Sequence, residues 1–278
     1  MIFGLPTYDH SNQKASVFTC RDETRRDEIP VADRTTDSSV ANSSRILGLF
    51  AKAWDAGKVK TRLAKTLGNE AAAEIYQSLL AVNLIGFAAS GDQRVVAYSP
   101  ADDATRDRFD SFISDLKPQP AWKLTAQSEG DLGTRMGSFF QQQFEIHGQG
   151  ARVVLIGSDA LGLTSRLMEN AFELLSSHDV VYGPSTDGGY YLVGLSDMNV
   201  QVFQDIDWST EKVLDQSLQK CESCGLSVAQ LEPLTDIDNE DDLRQEIQAL
   251  RSVDEQQLES FQQNFLDEVT RILGEMWL

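Results

Sequence analysis

The densest run of reactive side chains is FAKAWDAGKVKTRLAKTLG at residues 50–68. Lys52, Lys58, Lys60, Arg62 and Lys65 fall between positions 52 and 65, where composition alone would place about one basic residue. In a chain of formal net charge −19, such a local positive focus attracts anions. Arg62 can fork onto two phosphate oxygens while the lysines act as point charges. Gly57 lets the backbone turn tightly beside a ligand. The spacing GxxxxGK[ST] is absent, so this is not a Walker A loop. Phosphate binding is the expected role, and a solvated charge run is the alternative.

Four further stretches accompany it. In LIGSDALGL (155–163), Asp159 closes an apolar run. A carboxylate at such a place suits a hard cation, Mg²⁺ or Mn²⁺, that shares its oxygen ligands with substrate phosphates. A helix N-cap or turn aspartate is the other reading. In GPSTDGGYYLVGL (183–195), Asp187 is followed by Gly188, Gly189 and Tyr190. The two glycines leave room for an acceptor beside a carboxylate that could serve as general base. Asp-Gly is equally a hairpin signal. In LTDIDNEDDL (234–243), Asp236 and Asp238 alternate and so share one face of an extended segment. Asp238 is a candidate second metal carboxylate, and either Asp238 or Asn239 could cap the next helix. In QSEGDLGTRM (127–136), Arg135 stands where it can reach a phosphate or pair with Asp131. None of His10, His147 and His178 belongs to a motif, and no Ser-His-acid system is legible.

These residues need a scaffold, and the intervening pattern supplies one. Short apolar runs at 45–52, 93–100, 121–127, 151–159, 179–185, 190–196 and 226–231 read as strands. Helical spacing covers 68–90, 102–116, 134–147 and 164–176, with further helices opening near Thr210 and at Asn239. Strands alternating with helices of this length predict an α/β fold, a mostly parallel sheet covered on both faces. Ligands of such sheets sit beyond the carboxyl ends of the strands, where the basic loop, Asp159 and the TDGG turn all fall. Three domains are expected: a disordered extension over 1–44, rich in Ser, Thr, Asp and Arg; a nucleotide-binding α/β domain over 45–250; and an amphipathic helix over 251–278. The apolar stripe of that helix, Leu258, Phe261, Phe265, Val269, Ile272 and Met276, calls for packing on the domain or at a homodimer interface.

Composition bounds the partners. A pI near 4.4 argues against nucleic acid and anionic membranes, both polyanions. No apolar run reaches the roughly 18 residues that span a bilayer, and no basic-then-apolar leader pattern opens the sequence, so a cytoplasmic location is expected. Cys20, Cys221 and Cys224 give neither a disulfide framework nor the four ligands of a structural zinc site. Cys221 and Cys224 read as thiols one turn apart near a helix end at Gly225.

Taken together, FAKAWDAGKVKTRL (50–63), GDLGTRM (130–136), VVLIGSD (153–159), GPSTDGGYYLVGL (183–195), DWST (207–210) and DIDNEDDL (236–243) resemble a bacterial transferase family. Its members are associated with radical-SAM and selenium-domain proteins and with arsenosugar-biosynthesis-type glycosyl transfer. They resemble GT-A-fold nucleotide-diphospho-sugar transferases, Rossmann-type αβα sandwiches, and are distantly similar to phospholactate guanylyltransferase and molybdenum-cofactor nucleotidyltransferases. The resemblance implies that Lys52, Lys60 and Arg62 meet nucleotide phosphates, that Asp159 binds the metal and that Asp238 stands at a second ligand position. The chain departs from the family at Trp54, Asp55 and Ala56, where prolines are usual, and at Ala160 and Leu161, where a small residue and a proline follow the metal aspartate. The expected function is metal-dependent glycosyl transfer from an NDP-sugar to a small acceptor. Nucleotidyl transfer from an NTP, or nucleotide binding without catalysis, are the alternatives.

Overall fold

Alternation along the first strand organises the molecule. In the computed structural model, which describes residues 43–159, 161–253 and 258–274, strand β1 spans Arg45–Lys52. Leu47, Leu49 and Ala51 enter one apolar cluster while Ile46 enters another on the opposite side of the sheet. A strand whose successive side chains are buried on both faces must sit in the middle of a covered sheet. β1 does so, between β2 (Gln93–Ser99) and β4 (Arg152–Ile156), both parallel to it.

The remaining strands are β3 (Lys123–Ala126), β5 (Val180–Pro184), β6 (Tyr190–Leu195) and β7 (Val228–Gln230), and the sheet order is β3-β2-β1-β4-β6-β5-β7. Only β6 runs against its neighbours, because the short STDGG connection folds it back on β5 and seats it beside β4. The sheet is thus mostly parallel, with the carboxyl ends of the parallel strands and the β5–β6 turn on one edge.

The helices follow the expected spacing. They are α1 (Ala64–Leu67), α2 (Asn69–Gly86), α3 (Asp103–Leu116), α4 (Leu132–His147), α5 (Ser165–Leu174), α6 (Val213–Ser223), α7 (Glu240–Ser252) and α8 (Ser260–Leu273). Several ends are capped by short polar side chains. Asp102 accepts from Thr105 N, Asp131 from Thr134 N and Thr164 from Leu167 N. Each such cap contributes about 1 kcal/mol by satisfying an orphaned N–H. Asp131 is therefore committed to the start of α4, two residues earlier than the expected helix, rather than to a pair with the Arg135 side chain. α6 ends at Ser223, followed by Gly225 at φ 68°, with Cys221 buried and Cys224 exposed, as expected of two thiols near a helix end.

Helix α8 spans fourteen residues, shorter than the 251–278 expected from periodicity. Phe261, Phe265, Leu266 and Val269 are buried with Ile75, Leu79 and Val82 of α2 and Leu243 and Ile247 of α7. The middle of the apolar stripe thus packs within the domain, with Leu258 and Ile272 partly buried against it. Met276, Ala160, Cys20, His10 and residues 1–42 of the expected extension lie outside the described residues. All described residues belong to one compact unit, Asn42–Leu278. Among them, no helix is long and apolar enough to cross a membrane.

Candidate functional site

The basic loop leaves β1 at the central edge of the sheet, and the chain that follows β4 reaches Asp159 beside it. A third segment arrives from β7: Ile237 N donates to Asp159 O at 3.1 Å, which lays residues 236–238 along the Asp159 loop. These three segments enclose a cavity of about 290 Å³ lined by Lys52, Lys58, Lys60, Arg62, Asp159 and Asp238, with Val59, Thr61 and Tyr76 completing the wall. Six of the residues singled out in the sequence thus meet in one place.

Two of the cations inside, Lys60 and Arg62, are paired with the two carboxylates. Lys60 Nζ lies 3.0 Å from Asp159 Oδ2 and 3.5 Å from Asp238 Oδ1, with its side chain only 4% exposed. Arg62 Nη1 reaches the other Asp238 oxygen at 3.2 Å but is 72% exposed, so it stands at the mouth. Lys52 Nζ donates to Lys58 O at 3.0 Å, which folds the loop over on itself. Behind Asp159, Ser158 Oγ donates either to Asp159 Oδ1 (3.1 Å) or to the Tyr76 hydroxyl (3.2 Å), and Tyr76 accepts from Lys52 N at 2.9 Å. Burial, followed by the Asp159 charge, pushes the Tyr76 hydroxyl well up, so it remains neutral.

The local folding settles two of the open readings. Asn239, not Asp238, caps α7: its side chain accepts from Asp241 N and Asp242 N, while Asp242 reaches back to Asn239 N and Asp238 N. That capping box leaves the Asp238 carboxylate free to face the cavity. Thr164 caps α5, so Asp159 is not a cap either.

Asp236 is the residue whose weight the sequence did not show. Burial, then the charges of Asp159, Asp187 and Asp238, raise its carboxyl to about 7, with Lys60 opposing. The alternation with Asp238 put both on one face; that the face closes over other carboxylates depends on the sheet order. Asp187 bears on the same field from the β5–β6 turn, where it is exposed and its Oδ1 accepts from Gly189 N (3.0 Å) and from Ser185 Oγ. It is a turn aspartate in this structure, with a second oxygen outside those two bonds. Gly188 has φ 89°, and a Cβ there would overlap the Glu211 carbonyl oxygen, so this glycine is required by close approach as well as by its conformation.

Three more candidates, like Asp187, Gly188 and Gly189 of the β5–β6 turn, do not line the cavity. Gly57, at φ 80°, shapes the turn before Lys58. Arg135 donates from Nη1 to Gln127 Oε1 (3.1 Å) and from Nε to the Asp131 main-chain oxygen (3.4 Å). Tyr190 packs against Tyr182 and Trp208, with its hydroxyl 3.9 Å from Met136 Sδ. The departing residues Trp54 and Asp55 form a clamp with α3: the Arg108 guanidinium lies 4.2 Å from the Trp54 ring centroid and 2.6 Å from Asp55 Oδ1. Hydrogen bonds from Arg108 and Lys58 hold the Asp55 carboxyl below its ordinary range.

Comparison with known proteins follows the same segments. The model of a family of uncharacterized proteins conserved in bacteria, DUF2064, matches residues 86–210, which include GDLGTRM, VVLIGSD, GPSTDGGYYLVGL and DWST. The crystal structure of a candidate nucleotide-diphospho-sugar transferase from Desulfovibrio desulfuricans G20 is 30% identical, covering 83% of this chain and 96% of its own, with a TM-score of 0.72. The chain belongs to the nucleotide-diphospho-sugar transferase-like family. Two further solved structures are looser likenesses. An inositol-1-phosphate CTP transferase from T. maritima is 15% identical, covering 80% of this chain and 96% of its own at a TM-score of 0.44. A manganese complex from Mycobacterium tuberculosis H37Rv is 15% identical, covering 75% and 99% at 0.43. Both are too remote to carry an argument. No curated protein matches the chain.

The donor set can be tested against a divalent ion. Among the described residues, no group of three or more His, Cys, Asp or Glu side chains is arranged to chelate an ion. Two carboxylates, Asp159 and Asp238, do converge on a single cationic point, the Lys60 ammonium. Mg²⁺ is commonly held by one or two carboxylates with substrate phosphates and water filling the octahedron, so this pair fits.

Proposed function

We propose that the protein is a divalent-metal-dependent transferase acting on a nucleotide diphosphate, moving a sugar from an NDP-sugar to a small acceptor. The observation that carries the reading is the shared cavity: three cationic side chains suited to a diphosphate, Lys52, Lys60 and Arg62, face the two carboxylates suited to its counter-ion. A diphosphate needs both, because the cationic side chains match part of its charge and a divalent ion held by the carboxylates would offset the rest. The similarity to a protein named as a nucleotide-diphospho-sugar transferase supports the choice of donor.

In this reading Lys60 and Arg62 orient the phosphates, and Asp159 and Asp238 hold Mg²⁺ or Mn²⁺. The ion would offset charge on the departing nucleoside diphosphate. Asp187, whose carboxylate keeps one oxygen outside its turn bonds, takes the proton from the acceptor. Gly188 and Gly189 keep the acceptor's approach free of side-chain bulk. Nucleotidyl transfer from an NTP to a phosphorylated acceptor would use the same basic loop and carboxylate pair, and the choice between them falls on the donor.

A thermal-shift screen of NTPs, NDPs and NDP-sugars, with and without Mg²⁺ or Mn²⁺, tests the reading. A ligand at a hundred times its Kd stabilises by about 2.7 kcal/mol, which for a domain of this size raises Tm by roughly 5–10 °C. Metal-dependent shifts with NDP-sugars are the expected result. Shifts with NTPs alone would transfer the assignment to nucleotidyl transfer, and no shift with any nucleotide would reject both.

A further inference from the structure

The pairing of Lys60 is unusual for a phosphate-binding lysine. Its ammonium is almost wholly enclosed and lies between the two carboxylates proposed to hold the metal, 3.0 Å from one and 3.5 Å from the other. The backbone is set for this position: Lys60 is one of few non-glycine residues with positive φ, at 44°. That conformation costs an L-residue roughly 1 kcal/mol, so the surrounding loop holds the lysine there against local preference. The neighbours reinforce the arrangement. Arg62 takes the second Asp238 oxygen, Ser158 is positioned to donate to Asp159 Oδ1, and the Ile237 amide ties the Asp238 segment to the Asp159 loop.

An ammonium on Asp159 Oδ2 and Asp238 Oδ1 competes for the carboxylate oxygens that a divalent ion would need, and the other two oxygens already face Ser158 and Arg62. An ion held between the two carboxylates would meet the Lys60 ammonium as a like charge at close range. We propose that Lys60 is a built-in counter-ion that a divalent cation must displace, so that ion and diphosphate load together; this rests on the metal and nucleotide reading above. The displaced ammonium meets the incoming phosphates, whose charge then compensates it. A protein whose carboxylates are already neutralised binds the ion weakly alone, and the diphosphate strengthens that binding by giving Lys60 another partner. By linkage, the ion strengthens diphosphate binding by the same factor.

The size of the effect follows from population. If Lys60 leaves the carboxylates in roughly one molecule in ten, apparent ion affinity is lowered about tenfold, and removing the competitor restores it. The test is Mn²⁺ binding to the nucleotide-free protein, followed by the paramagnetic resonance signal of the free ion. Lys60→Met should bind Mn²⁺ about tenfold more tightly than wild type. Lys65→Met, which removes the same charge from an exposed position outside the cavity, should change affinity by less than about twofold. Adding Asp159→Asn to Lys60→Met should reverse the gain. Lys60→Gln serves as a second variant if the methionine variant melts early, and far-ultraviolet dichroism checks the fold of each. If wild type binds Mn²⁺ through Asp159 but Lys60→Met and Lys60→Gln are no tighter than Lys65→Met, the counter-ion role is overturned while the metal reading stands. If no variant shows Mn²⁺ binding that depends on Asp159, the metal reading fails and takes the counter-ion role with it.

Discussion

Replacing Asp236 with Asn should flatten the pH dependence of stability between about pH 4.5 and pH 8. The wild-type carboxyl is raised from 3.8 to about 7 by burial and by three neighbouring carboxylates. A raised carboxyl means that the native state holds its proton where the unfolded state has lost it. Stability from this group is therefore fully present below the unfolded value and is lost as pH rises through the folded one. Each unit is worth 1.36 kcal/mol, so a displacement of about three units corresponds to about 4 kcal/mol in full, of which about 3 kcal/mol falls between pH 4.5 and pH 8. Against the 5–15 kcal/mol of a typical domain this is a large fraction. Urea unfolding at a series of pH values, with EDTA present so that no cation compensates the carboxylates, measures it for both proteins. The difference between variant and wild type isolates Asp236 from the other titrating groups. The Asp236→Asn variant should gain on wild type as pH rises. If the two stability curves run parallel across the range, Asp236 is not the strained carboxyl and the electrostatic picture of the cavity is wrong.

Other perturbations test separate parts of the site. Asp159→Asn should abolish Mn²⁺-dependent nucleotide binding in calorimetry, whereas Asp187→Asn should keep binding and lower turnover about 10²–10⁴-fold; the amide oxygen can still accept from Ser185 and Gly189, so the turn survives, and the opposite pattern would exchange the two roles. Arg62→Ala should weaken nucleotide binding more than Lys65→Ala, because Arg62 stands at the cavity mouth and Lys65 does not line it; equal effects in titration would reject the assignment. Gly188→Ala should cost about 2 kcal/mol or more in denaturant unfolding, from overlap with Glu211 and from its positive φ, and a neutral outcome would show that the turn relaxes freely. Phe265→Ala, on the buried stripe of α8, should cost about 3–5 kcal/mol if that helix is part of the domain core, and little if it docks loosely.

The chain announces its elements more openly than its pairings. The run ARVVLIGSD reads as a buried strand because strands covered on both faces lose their polar alternation, and β4 is that strand. The Asp-Gly turn is a hairpin signal, and a helix is expected to open at Asn239; both hold. The basic loop and Asp159 are legible as candidates because strand ends collect ligands in this class of sheet, and Asp238 through its alternation with Asp236 and the family resemblance. What was not legible is which charge meets which. Lys60 and Asp238 are 178 residues apart and meet only because β1 lies beside β4 and the segment after β7 crosses to that edge. Arg135 turns to Gln127, and Asp131 caps α4, because local geometry competes with ligand-directed roles that a sequence cannot rank. Trp54 and Asp55, read as departures from the family's prolines, prove to anchor the loop on Arg108.

The path of the chain also sets an order of assembly during synthesis. All seven strands of the sheet are complete once Gln230 has been made, yet Asp236 and Asp238 come after it. A nascent chain can therefore close its sheet while the cavity still lacks one of its two proposed ion-binding carboxylates. In that interval Lys60 has only Asp159 for a partner, and the cations that line the cavity outnumber its carboxylates by more than they do in the finished protein. The capping box at Asn239, which starts α7, then fixes the segment that brings the second negative charge to the site.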